Sequence, residues 1–162
     1  MTGDVHGYSL PDQLEPDLSR VQAYWNGLKC GANDVPFWDD VKFSLRSRLG
    51  RESMLIDVFE SPLRFRVDLI GADLTEWYGG TIGNKFLDEI DLHAPFDKLT
   101  SQCRATVEGC APTYYRQTAF GKGAAGYSGG YARLLLPLWG NGRIEMLLGA
   151  VVPDTAARKN VG

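Results

Sequence analysis

Hydrophobic positions fall into two periodicities along this chain, and the switch between them marks out the elements. Leu18, Val21, Trp25 and Leu28 recur at helical spacing, which predicts a helix over roughly 17–29 with Asp17 as its N-cap and Gly31 near its stop. A second short helix is expected between Phe37 and Leu49, ended by Gly50. From Ser53 the period shortens to two. Met54, Ile56 and Val58 form one strand, and Phe65, Val67 and Leu69 form the inward face of a second, with Ser61-Pro62 between them.

Ala72 to Tyr78 reads as a short helix closed by Gly79-Gly80, and Thr81 to Glu89 as irregular chain with room for one helical turn. Asp91 to Gly109 reads as a longer helix carrying Phe96, Leu99, Cys103, Val107 and Cys110. Three strands follow, over Thr113–Phe120, Tyr131–Trp139 and Arg143–Val152, the last two joined by the tight-turn pair Asn141-Gly142. This order favours one antiparallel sheet with helices on one face over alternating βαβ units. The domain is expected over 17–152, between a flexible lead-in, 1–16, and a flexible tail, 153–162.

Face assignment adds a further expectation. Taking Arg133 as outward places Leu134, Leu136 and Leu138, with Ile144, Met146, Leu148 and Ala150, beneath the main helices. The other face still carries Leu135, Leu147, Gly149 and Val151. A sheet with one wet face would be polar there. The N-terminal helix, through Leu18, Val21, Trp25 and Leu28, is the expected cover, from the same chain or a partner. A homodimer interface is therefore expected at those four residues with Leu135 and Leu147.

Composition narrows the functional classes. The 162 residues are 44% hydrophobic and 23% charged with net charge −3, as expected for a globular domain, and no basic run suits a nucleic-acid backbone. Leu134–Trp139 and Met146–Val152 are too short to cross a bilayer, and no secretory h-region precedes Leu10. Three scattered cysteines, Cys30, Cys103 and Cys110, fit a reducing compartment, so a cytoplasmic location is expected.

The ordered set Phe65-Arg66, Leu69-Ile70-Gly71, Gly83, Phe86-Leu87-Asp88, Arg133 to Leu138 and Leu148-Gly149 is similar to the PAS-fold family common in alphaproteobacteria. The resemblance spans roughly 17–152. It implies an α+β fold: a five-stranded antiparallel sheet with helices over its concave face, a ligand or cofactor between them, and an N-terminal helix used for dimerisation. The flavin-photosensor branch has a Cys within Asn-Cys-Arg, whereas Gln102 precedes Cys103-Arg104 here. The haem branch has an axial His on the long helix, whereas His93 stands before Pro95. Neither cofactor signature is present.

Other motifs invite chemistry and lack its context. Gly121–Gly126 matches GxGxxG and Gly126–Gly130 matches GxSxG, but a strand rather than a helix is expected after them, and no histidine follows His93. His6 and His93 are isolated, and His93 reads as a surface or capping residue. Cys103 and Cys110 read as small apolar groups on one helix face. Asp88, Glu89 and Asp91 read as a solvated cluster. Arg66 and Arg133 read as partners in structural ion pairs, with anion recognition the lesser alternative.

The functional expectation is a stand-alone sensory domain that binds a small apolar ligand or relays a signal to a separate output protein. Its pocket residues are Phe65, Trp77, Tyr78, Phe86, Cys103, Tyr115 and Met146. The alternatives are a dimerisation or interaction module without ligand, and a small enzyme on a cone-shaped α+β scaffold. The enzyme would need converging polar groups inside a cavity, where the expected inward positions are almost all apolar.

Overall fold

The computed structural model describes residues 7–29, 35–39, 50–117 and 130–153. Helix α1 spans Pro16–Gly27, α2 Ala72–Tyr78 and α3 Leu99–Gly109, with a 3₁₀ turn at Leu87–Glu89. The strands are β1 Ser53–Phe59, β2 Arg64–Ile70, β3 Thr113–Gln117, β4 Tyr131–Gly140 and β5 Arg143–Pro153. They form one five-stranded sheet in the order β2-β1-β5-β4-β3, with every neighbouring pair antiparallel. The described residues are thus α+β, with a five-stranded antiparallel sheet and, among them, three helices. Most of the expected helix at 37–49, both glycine motifs, His6, Cys30 and the tail beyond Pro153 lie outside the described residues.

Local chemistry sets the element ends. Pro16 opens α1, where its missing N–H breaks no helical bond; Glu15, not Asp17, is the N-cap, and Asp17 lies in the first turn. Gly79 ends α2 in the left-handed region at φ 88°. Asn141 and Gly142 turn β4 into β5 with φ 46° and 81°, the positive pair that a tight type I′ hairpin demands. Helix α3 begins at Leu99, not near Asp91. Pro95 disfavours helical geometry at the residue before it, and Lys98 is left-handed at φ 61°. Residues 91–98 instead form an irregular approach to α3.

The sheet is a wall between two cores. On one face Met54, Ile56, Val58, Phe65, Val67, Leu135, Leu147 and Val151 pack with Leu74, Leu87, Phe96, Leu99 and Cys103 from the helical layer. On the other, Leu134, Leu136, Leu138, Met146, Leu148 and Ala150 pack with Leu18 and Trp25 of α1. In β4 and β5 the expected faces are therefore exchanged, Ile144 excepted. The assignment took Arg133 as outward, whereas Arg133 is fully buried on the same face as Leu135. Leu135 and Leu147 are likewise fully buried in the chain's own core, beneath the main helical layer.

Two bulges break the simple alternation. Leu55 pairs with Leu69 but Ile56 pairs with Val67, which makes Asp68 an extra residue in β2. Leu69 consequently joins the α1 face, although alternation placed it with Phe65 and Val67. In β5, Leu138 pairs with Met146 and Trp139 with Ile144, so Glu145 is the extra residue and Ile144 returns to the helical-layer face.

Helix α1 is held by more than apolar contact. The Trp25 indole N–H, buried, donates to the Pro137 carbonyl at 2.9 Å. The segment before the helix passes the edge of β3. Tyr8 is buried, its carbonyl accepts the Tyr114 N–H at 2.8 Å, and its hydroxyl donates to Ser101 at 2.8 Å. Glu15 accepts the Tyr114 hydroxyl at 2.9 Å. Of the residues expected as a flexible lead-in, those from Tyr8 to Glu15 thus bridge α3, β3 and α1. At the opposite edge, the Val67 N–H donates to the Lys85 carbonyl and the Asn84 N–H to the Val67 carbonyl.

Candidate functional site

Beneath α3 the interior becomes polar around Arg133. The β4 pleat points this side chain under the helix, and α3 contributes Gln102 and Thr106 one turn apart on its buried side. Nε donates to Gln102 Oε1 at 2.7 Å. One terminal nitrogen donates to the Pro95 carbonyl at 2.9 Å and the other to the Asp97 carbonyl at 2.7 Å. Gln102 in turn donates to the Thr113 hydroxyl at 3.0 Å, and the Thr106 and Thr113 oxygens are 2.6 Å apart.

Among the described residues, no hydrogen bond or ion pair joins Arg133 to a carboxylate; its charge meets carbonyl dipoles and aromatic faces. The guanidinium carbon stands 5.1 Å from the Tyr115 ring centroid and 5.9 Å from that of Tyr131. Such contacts are worth about 2 kcal/mol or more when desolvated. Arg133 thus departs from the expected ion pair, whereas Arg66 forms one, to Asp57 at 2.7 Å. Tyr8 packs at a tilt against Tyr115, with centroids 6.0 Å apart and planes inclined by 58°.

Protonation states follow from burial. Burial pushes the Cys103 thiol up to about 12, against the opposing pull of the Arg133 charge. Burial also raises the Tyr131 and Tyr115 phenols, so both stay protonated near neutrality. The Tyr131 hydroxyl lies 3.3 Å from Asp97 Oδ2. Burial lowers the Arg133 guanidinium from its usual value, while Tyr131, Cys103 and Tyr115 act in the opposite direction. The set contains a cation, protonated phenols and an unionised thiol. It can hold a segment or a ligand in place, and it presents no activated nucleophile.

The expected pocket residues divide. Phe65, Tyr78 and Cys103 lie in the helical-layer core, with Trp77 and Tyr115 packed against it. Phe86 lies outside it, against Phe59 at 5.3 Å and under the Arg64 guanidinium at 3.7 Å. Met146 belongs to the opposite face, under α1, because β4 and β5 carry the reverse of the assumed orientation. A groove of about 240 Å³ lies on that side too, between α1 and β1, bordered by Arg20, Val21, Tyr24, Ser53 and Leu148. None of the expected pocket residues borders it.

The acidic cluster is likewise divided. Arg64 grips Asp88 through two nitrogens at 2.7 and 2.8 Å, holding that carboxyl below its usual range, while Asp91 faces His93. The polar layer under α3 was missed from sequence, although one signal was there: a lone arginine within a strand apolar on both faces. Gln102 and Thr106 beside Cys103 offered a second, at one-turn spacing. Comparison with protein-family models, with curated proteins and with solved structures finds no match to this chain.

Proposed function

We propose that this chain is a PAS-type sensory or relay module, in which a change beneath α3 is passed through the sheet to α1. The observation that carries the reading is the double attachment of β4. On one face Arg133 holds the approach to α3 through the Pro95 and Asp97 carbonyls. Four residues along the same strand, the Pro137 carbonyl holds α1 through Trp25. A shift of β4 therefore moves both attachments together.

The sequence resemblance and the α+β arrangement, with α1 on the opposite face from the other helices, support the same reading. The input is a small molecule, seated among Phe65, Tyr78, Cys103 and Tyr115, whose arrival displaces α3. The output is a separate protein that reads α1.

Native mass spectrometry of protein purified without denaturation, followed by hydrogen exchange of α1 with and without the retained molecule, tests this. A retained compound that raises Tm and alters protection in α1 is the expected result. If nothing is retained and no metabolite of a broad panel raises Tm, the ligand-binding reading fails. The competing reading, an interaction module without ligand, draws on the full burial of Phe96, Leu99 and Cys103, which fill the interior as an ordinary core does.

A further inference from the structure

We propose that His93 is a proton-operated latch joining the end of α2 to the approach to α3, so that the module senses pH. The ring lies flat on Tyr78, with centroids 4.3 Å apart and planes inclined by 7°. Nε2 is 2.9 Å from the carbonyl oxygen of Tyr78, the last residue of α2. Nδ1 is 3.0 Å from Asp91 Oδ2. Both neighbours accept hydrogen bonds. A neutral imidazole has one N–H and satisfies one of them; the imidazolium has two and satisfies both. The Tyr78 hydroxyl donates to the Asp91 carbonyl at 2.7 Å, so ring and phenol fasten the same short loop to α2.

Among the described residues, the titratable or charged groups acting on the imidazole are Asp91 on its own segment and Asp97 at the entry to α3, both favouring the cation; Tyr78 adds its carbonyl and ring face from α2. The Tyr78 carbonyl bond, opposed by burial and reinforced by Asp91, raises the His93 pKa from its ordinary 6.5. The sign follows from linkage. Stabilisation by the latch is complete below the ordinary value and is lost as pH rises through the raised folded-state value. Loss of the proton frees one contact and loosens residues 91–98, the stretch whose Pro95 and Asp97 carbonyls Arg133 holds.

The inference depends on the sensory reading only for its purpose. The latch can titrate in a protein that retains no ligand, and a ligand can bind where the latch does not titrate. The experiment follows the His93 ring by ¹H–¹³C NMR from about pH 5 to about pH 8.5, spanning the histidine range. Amide exchange of residues 91–98, corrected for its intrinsic pH dependence, is measured over the same range. His6→Gln simplifies the spectrum by removing the other histidine. The expected result is titration above the free-histidine value, with exchange at 91–98 accelerating on the same curve. Asp91→Asn should lower the titration midpoint, and His93→Gln should abolish the pH-linked exchange. A midpoint at or below the free value, or exchange that ignores the titration, overturns the proposal. Should His93→Gln fail to fold, the wild-type titration and Asp91→Asn decide it.

Discussion

Replacing Arg133 by Met tests whether the polar layer under α3 is a structural clamp. The substitution keeps much of the side-chain length and removes every donor. Gln102 Oε1 and the Pro95 and Asp97 carbonyls then face an apolar chain. Each stranded acceptor costs about 1–3 kcal/mol where buried, as at Gln102 and Pro95, and less at the part-buried Asp97 carbonyl. Removing a buried charge gives part of this back, because the guanidinium no longer has to be desolvated. Three acceptors against one cation leave a net loss of roughly 3–5 kcal/mol, set by the unpaired acceptors less the desolvation that is relieved.

A domain of this size is held by about 5–15 kcal/mol in total, so the loss is a large fraction of it. With a urea slope of about 2 kcal/mol/M, the midpoint should fall by roughly 2 M. Arg133→Lys separates charge from geometry. The ammonium keeps the charge but has no planar fork to span three acceptors on two segments, so most of the loss should persist. A Met variant within about 1 kcal/mol of the wild type, with unchanged slope, would refute the clamp. Full recovery in the Lys variant would show that charge alone is required.

Further outcomes follow from the same contacts. Trp25→Phe keeps an aromatic ring under α1 but strands the Pro137 carbonyl; the expected loss is about 1–2 kcal/mol, read by thermal denaturation, with faster amide exchange in α1. Alkylation of native protein at neutral pH, mapped by peptide mass analysis, should modify the exposed Cys110 and spare Cys103, whose buried thiol stays protonated. Modification of Cys103 at a comparable rate would mean that α3 opens readily from the sheet.

Period-based reading found the sheet because each strand carries its own alternation, and it located the turns because Asn141-Gly142 and Gly79 are demanded by backbone geometry. It failed where one residue alters a whole strand. Asp68 and Glu145 each insert a single position, and nothing in their side chains announces a bulge. Arg133 misled the face assignment because a charged residue is normally solvated, whereas here carbonyls and tyrosine faces replace water. The approach to α3 was read as helix because Phe96 and Leu99 fit helical spacing; the hydrogen bonds from Arg133 that help hold it irregular come from a strand thirty-six residues further along the chain. Non-local contacts of that kind leave no periodic trace. Phe65 and Cys103 lie in the interior as their apolar character leads one to expect, which speaks to packing and not to a ligand.

The short segment around Tyr8 has a consequence for how copies of this molecule meet. An open sheet has two outer strands whose backbone groups can template a further strand. Here the chain itself engages both margins, with the Tyr8 carbonyl on Tyr114 at one side and the stretch at Asn84 and Lys85 on Val67 at the other. A neighbouring molecule that tried to lengthen the sheet at these positions would first have to peel away a piece of this one. At the Tyr8 side, that displacement would also break the hydroxyl contact to Ser101 and uncover Tyr115. Growth into ribbons at that margin is thus tied to opening the polar layer beneath α3, so a single local event would couple edge pairing to access to the interior.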